Sequence, residues 1–340
     1  MIRTMARVMA EPIFLMCSER SGSNLITRMF DSHSQYRAPP AVHLLRILGE
    51  SLVRYGDLRS PRNWAILVDD CIALFDAKIG IWTIGTTEVE RLAAKTAPGS
   101  LGSLVLSLYR AEADAAGKES FFVKENQIYG FAPVILESCP TARFIYLVRD
   151  PRDMALSWLE AASLRGGPVR AATVWAADQS GFLTLCSQIA ATRHVARLTY
   201  ESLIGAAALA LERVCATLDI AFEPDTLAFH RTESVVANAN EAVDWRNTSR
   251  PLMTNNSGKY RTGLRRDQVA FIEATCGELM GMFGYEASLE RAEDLPMLTA
   301  RLTAEEPFEK AAYQTIPAAE RERRKQWQAV VARIRSRTHA

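Results

Sequence analysis

Seven consecutive residues, Ser18-Glu19-Arg20-Ser21-Gly22-Ser23-Asn24, follow an apolar run over 12–17 and precede apolar residues at helical spacing, Leu25, Ile26, Met29 and Phe30. A loop between a buried strand and a helix N-terminus presents free backbone N–H groups and the positive end of the helix dipole, which together attract an anion. Gly22 lets the backbone approach a ligand closely. Ser21, Ser23 and Asn24 supply hydrogen-bond donors, and Arg20 supplies a charge. An ATP-binding loop would read G-x-x-x-x-G-K-[ST]. Here Ser23 stands where the lysine would be and the first glycine is missing. The loop therefore suits an anion better than Mg-ATP.

A second such junction lies at 144–158. The apolar run 144–148 leads into Arg149-Asp150-Pro151-Arg152-Asp153 and a helix through Trp158. Asp150 suits the N-cap and Pro151 the first helical position. An arginine at a strand end can grip a terminal phosphate with two parallel N–H groups. Ser157, on the adjoining helix, can add a neutral donor. The plainer reading of Arg149 is a surface ion pair with Asp150 or Asp153.

Together the two junctions resemble the nucleotide-binding motifs of sulfotransferases that use 3′-phosphoadenosine-5′-phosphosulfate (PAPS). Arg20, Ser21, Gly22, Ser23 and Asn24 match the loop that wraps the 5′-phosphosulfate in that family. Arg149 and Ser157 match the pair that holds the 3′-phosphate, and 147–153 reads as a common bacterial version of that motif. Tyr200-Glu201-Ser202-Leu203 resembles the segment whose tyrosine lies near the adenine. Asn256-Ser257-Gly258-Lys259-Tyr260-Arg261 resembles the late loop that closes over the nucleotide, which adds Gly258, Lys259 and Arg261 to the expected donor site. Tyr200 has a plainer reading as a core aromatic, and Lys259 and Arg261 as solvated loop charges. The resemblance spans about 12–285.

It implies in-line transfer of a sulfuryl group from PAPS to a hydroxyl or amine, with adenosine 3′,5′-bisphosphate leaving. Arg20, the loop N–H groups and Lys124 would stabilise charge, with no metal required. The family's usual base is missing from both of its places. Asn126 stands where Lys-x-His would put a histidine, and Ala41 stands in or near the place of a glutamate. His43 is the first candidate base, since its ordinary pKa suits the task. Glu125 is second, and His33 third, with a structural role at a helix end as its plainer reading. Two other readings stay open: an ATP-dependent P-loop kinase, and a catalytically silent nucleotide-binding or scaffold protein.

These motifs need elements to hold them. Apolar runs at 12–17, 121–123, 144–148 and 195–199 read as strands. Helical periodicity appears at 42–53, 64–75, 104–115, 131–138, 206–218 and 267–283. Strands alternating with helices predict an α/β, three-layer, P-loop-like fold with a central parallel sheet. The expected division is a sulfotransferase domain over 1–290, with a helical insertion at about 42–118, and a C-terminal helical extension over 291–340. The insertion is rich in Leu, Ile and aromatic residues such as Trp64 and Trp82. It would set acceptor specificity, for a small-molecule or lipid-like acceptor, or simply pack the core. The stretch 320–337 carries seven Lys/Arg and two Glu, with Trp327, Val330, Val331 and Ile334 at helical spacing. It reads as a solvated helix packed by one apolar stripe, or as a tail for a partner or a homodimer.

Composition narrows the class further. The 340 residues carry 40 Lys+Arg against 39 Asp+Glu, a net charge of +1 that excludes a broadly basic nucleic-acid binder but permits a local anion pocket. The six cysteines show no C-x-x-C spacing and the five histidines are scattered, so reduced thiols, a cytoplasmic protein and no zinc site are expected. Glu11 and Pro12 interrupt the N-terminus before a signal-length apolar core forms, and no run reaches the length of a membrane span.

Overall fold

The four apolar runs fold as strands, three of them buried and the last a sheet-edge strand with Arg197 exposed. In the computed structural model of the chain, which describes residues 10–289, 294–306 and 309–338, β1 is Ile13–Met16, β3 Ser120–Lys124, β4 Arg143–Val148 and β5 Val195–Thr199. A fifth strand, β2, is only Tyr36–Arg37. Two residues are too few to show a period, so the sequence gives no sign of it. All pairings are parallel and the order is β2-β3-β1-β4-β5. The chain leaves β1 toward one edge and later fills the other. The crevice at the carboxyl ends of β1 and β4 is thus a topological switch point, where open α/β sheets bind ligands.

The helices in chain order are α1 Ser23–Asp31, α2 Leu44–Gly49, α3 Pro61–Asp76, α4 Thr86–Ala93, α5 Leu101–Ala115, α6 Ala132–Ser138, α7 Pro151–Glu160 and α8 Pro168–Ile189. There follow α9 Tyr200–Gly205, α10 Ala207–Thr217, α11 Glu233–Ala239, α12 Tyr260–Gly263, α13 Arg266–Met282, α14 Leu295–Glu305 and α15 Ala318–Arg335. Alternation along β1 sends Phe14 and Met16 to one face and Ile13, Leu15 and Cys17 to the other. The first face is covered by α2–α6, α8 and α15, the second by α1, α9 and α10. A third cluster packs α7, α8 and α13 together beyond Val148. This is the expected parallel α/β sandwich.

The helix expected over 42–53 is shorter, because His43 takes a left-handed conformation at its start and the segment after Gly49 turns into a 3₁₀ helix at Leu52–Tyr55. The long helix α8 leaves no clear period in the sequence. Its buried face mixes Ala171, Ala172, Asp178 and Gln179 with Trp175, Phe182 and Leu185, which dilutes the apolar period. Trp64 and Trp82 lie in the core that covers the first face, and the Trp82 indole donates to the Pro40 carbonyl at 2.9 Å.

Helix α15 spends its apolar stripe on the chain's own core. Val331 and Ile334 are buried there, with Trp327 and Val330 packed beside them. Arg333 and Arg337 both reach the buried Asp70 carboxylate on α3, at 2.8 and 2.7 Å. All six cysteines are unpaired and buried. Among the described residues no helix is long and apolar enough to cross a membrane. The reading of the first nine residues as no signal peptide lies outside the described residues.

Candidate functional site

The loop after β1 is held open by its own backbone. Arg20 and Gly22 have positive φ, 60° and 92°, so the chain doubles back and starts α1 at Ser23. Gly22 is the N-cap and no side chain caps the helix, leaving the first-turn N–H groups toward the loop. A Cβ on Gly22 would lie 2.4 Å from the Tyr200 ring, so only glycine permits this approach. From below, Gln179 on α8 donates to the Ser18 hydroxyl at 2.9 Å. The Ser21 hydroxyl is buried without a hydrogen-bond partner.

At the end of β4 the neighbouring acids are engaged elsewhere. Asp150 caps α7 by accepting from Arg152 N and also pairs with the Arg152 guanidinium, which reaches Glu273 as well. Asp153 accepts from the backbone N–H groups of Gly258 and Tyr260. Arg149 therefore makes no ion pair with either neighbour. It donates to the carbonyls of Arg20 at 2.9 Å and Asn256 at 3.2 Å, and lies 4.3 Å over the Tyr200 ring. Its Nε is buried and unpartnered. Arg20 Nε donates to the Ser157 hydroxyl at 3.1 Å. Asn256 Nδ2 donates to the Tyr200 hydroxyl at 2.7 Å.

These groups line a cavity of about 170 Å³. Arg20, Gly22, Ser23, Asn24, Arg149, Ser157 and Tyr200 all border it, joined by Arg250 and Asn256. Arg250 was not anticipated, because it follows a 3₁₀ segment with no motif around it. Gly258, with φ of 71°, ties the late loop to Asp153. Lys259 and Arg261 are exposed and border neither this cavity nor the next.

A second cavity, about 300 Å³, adjoins the first, and Arg20, Ser23, Asn24 and Asp244 line both. Lys124, from the end of β3, enters it and donates to Asn24 Oδ1 at 2.6 Å. Burial lowers the Lys124 ammonium to about 8. Asn126 donates to Glu19 Oε1 at 3.0 Å. His43 borders the cavity with its Nδ1 3.4 Å from Glu125 Oε2, a contact just short of hydrogen-bond geometry. Burial, then the charges of Arg46 and Lys124, hold the imidazole well below its ordinary value. Burial pushes the Glu125 carboxyl up to about 8, against the opposing pull of Arg46 and the amides of Arg46 and Leu45. His33 is fully buried, with Nε2 3.0 Å from the Ala221 carbonyl, and lines neither cavity. It lies two residues beyond the end of α1, with its N–H donating to the Phe30 carbonyl.

The far wall of this cavity was not legible in the sequence. It comprises Lys78 and Ile79 after α3, Asp244 and Trp245 from the 3₁₀ segment Val243–Ser249, and Arg324, Trp327 and Gln328 from α15. The spacing 324, 327, 328 is one face of a helix. Among the described residues no cluster of His, Cys, Asp or Glu could hold a metal ion.

Comparison with known proteins supplies the class. The family described as "Sulfotransferase family" matches residues 12–224, well over half of the chain. The sulfotransferase domain from the curacin biosynthetic pathway has a TM-score of 0.56 at 17% identity, covering 83% of this chain and 99% of that domain. The sulfotransferase domain from the Synechococcus PCC 7002 olefin synthase has a TM-score of 0.52 at 16% identity, covering 88% of this chain and 96% of that domain. No curated protein matches in sequence. The structural likenesses agree in fold, and the family match reaches from β1 past β5: the chain belongs to the sulfotransferase family.

Proposed function

We propose that the chain transfers a sulfuryl group from PAPS to a hydroxyl or amine of a small acceptor. The observation that carries this is the convergence of two unsatisfied donor sets on one cavity. They are the first-turn N–H groups of α1 and the buried Arg149 Nε. Buried polar groups without partners are costly unless a ligand satisfies them. Phosphate and sulfate oxygens fit such donors, so the residues present suit a phosphosulfate nucleotide.

The donor would lie along the smaller cavity, with Arg149 and Ser157 at the 3′-phosphate and Tyr200 beside the base. It supplies the sulfuryl group. Arg20, Ser23 and Asn24, shared by both cavities, mark the point of transfer. There the acceptor oxygen forms a bond to sulfur while the bond from sulfur to the bridging phosphate oxygen breaks. Lys124 and Arg20 receive the charge that develops on the leaving phosphate. His43 takes the acceptor proton. Its Nδ1 is turned to Glu125, which leaves Nε2 for the cavity. Asn126, committed to Glu19, cannot serve as a base.

Thermal stabilisation by adenosine 3′,5′-bisphosphate, compared with ADP and ATP, tests the donor. At a hundred times its dissociation constant the bisphosphate should add about 2.7 kcal/mol. Equal shifts from ADP and ATP would sink the 3′-phosphate assignment and return the kinase reading. For the base, His43→Ala should cut turnover at least about tenfold while the bisphosphate still binds. Unchanged turnover would remove His43 from the reaction.

A further inference from the structure

The larger cavity has an uneven charge that the transfer reaction does not use. Its two acids are already engaged. Glu19 accepts from Asn126, and Asp244 takes the Ser163 hydroxyl, Arg324 at 3.3 Å and Arg20 at 3.6 Å. Two cations lining the same space have no such match. Arg46 donates Nη1 only to the neutral Gln127 side chain, at 3.3 Å, and its Nε is buried without a partner. Lys78 stands 4.1 Å over the Phe75 ring. Among the described residues neither has a carboxylate within ion-pair distance. Val42, Ile79, Leu164, Trp245 and Trp327 make up much of the remaining wall.

An arginine with a buried, unsatisfied Nε that shares a cavity wall with a lysine is an incomplete anion site. Among the described residues none completes it. Arg46 also follows His43, the residue at the start of α2, by three positions, and both line this cavity. A ligand held at Arg46 would have its other end within reach of the imidazole.

We propose that the acceptor is a small hydroxy compound bearing its own anionic group, a carboxylate or a phosphate. Arg46 and Lys78 grip that group while the hydroxyl faces His43. The cavity volume of about 300 Å³ sits at the small end of ligand sites, so a compact acceptor fits better than one with a long acyl chain inside the cavity. This rests on reading the larger cavity as the acceptor side of the sulfotransfer site.

Calorimetry on the full chain saturated with adenosine 3′,5′-bisphosphate tests it. The probes are para-hydroxybenzoate, para-hydroxyphenyl phosphate and the neutral para-hydroxybenzamide. At least one anionic probe should bind about tenfold more tightly than the amide, and which one it is tells carboxylate from phosphate. Lys78→Met, and separately Arg46→Gln, should reduce that preference severalfold without changing the affinity for the bisphosphate. Equal binding of acid, phosphate and amide, binding of none, or a preference kept in both variants would overturn the anion grip. Failure of the donor reading is distinct, because the bisphosphate itself would then not bind.

Discussion

At the scale of single residues, the Glu125 carboxyl and the His43 imidazole are set against each other. Burial raises Glu125 to about 8 and lowers the neighbouring His43, so near neutral pH their shared proton sits on the carboxyl. A protonated Glu125 would donate to Nδ1 and leave the proton of the neutral ring on Nε2, where it blocks base catalysis. An ionised Glu125 instead holds the proton on Nδ1 and frees Nε2. Turnover should therefore rise as Glu125 ionises and fall as the Lys124 ammonium, which the transfer also uses, loses its proton, a bell centred near 8, and Glu125→Gln should abolish the rising limb while the acceptor KM stays within about twofold. A variant that keeps the alkaline rise would show that Glu125 does not position His43. The same shift affects stability. Glu125 binds its proton more tightly folded than unfolded, so its contribution is full below its ordinary 4.5 and is lost as pH climbs through about 8. Lys124, lowered from 10.5 to about 8, acts in the opposite sense above that pH. The stability of wild type minus that of Glu125→Gln should thus fall between about pH 5 and 8, by denaturant titration. Gly22→Ala tests the loop. A Cβ there meets Tyr200 and the φ of 92° is unsuited to alanine, so a loss of about 1–3 kcal/mol and at least tenfold weaker bisphosphate binding are expected. Unchanged affinity would mean that the ring under the loop does not shape the site.

At the scale of elements, the parallel strands fix where chemistry can happen, and the helices decide what surrounds it. The carboxyl ends of β1, β3 and β4 deliver Arg20, Lys124 and Arg149 to one crevice. Helix α8, buried along much of its length, underpins all of this. Its Trp175 indole donates to the Arg149 carbonyl at 2.9 Å, and its Gln179 holds Ser18. Helix α15 closes one wall of the larger cavity and is fastened by Ile334, which is fully buried, and by the Asp70 pairs. Ile334→Ala should destabilise the chain by about 2–5 kcal/mol in denaturant titrations. It should also raise the acceptor KM while leaving bisphosphate affinity intact, because only the larger cavity is bordered by α15. A loss of bisphosphate affinity equal to that for the acceptor would contradict this division of labour.

At the scale of the whole molecule, α15 shares one apolar cluster with the sheet and with α2–α5. The insertion and the C-terminal helix are thus expected to melt with the body in a single cooperative transition. Two resolved calorimetric transitions would instead mark 291–340 as a separate unit. The near-zero net charge is consistent with this arrangement, since the cations that matter are gathered inside two adjoining cavities. What the sequence by itself determined is local. Short apolar runs, a Gly-containing loop and an arginine after the clearest strand each depend on a few consecutive residues, whose conformations follow from burial, backbone sterics and helix ends. These were enough to give the parallel sheet and the family. The two-residue β2, the mixed face of α8 and the place of Arg250 were hidden because short or polar segments show no period. Only the tertiary structure decided the larger cavity. It alone placed His43 against Glu125, freed Arg149 from its acidic neighbours, and walled the larger cavity with residues from α2, the end of α3, the segment Val243–Ser249 and α15. Those segments are distant in the chain, and which of them meet is set by the packing of the whole core, which no local pattern records.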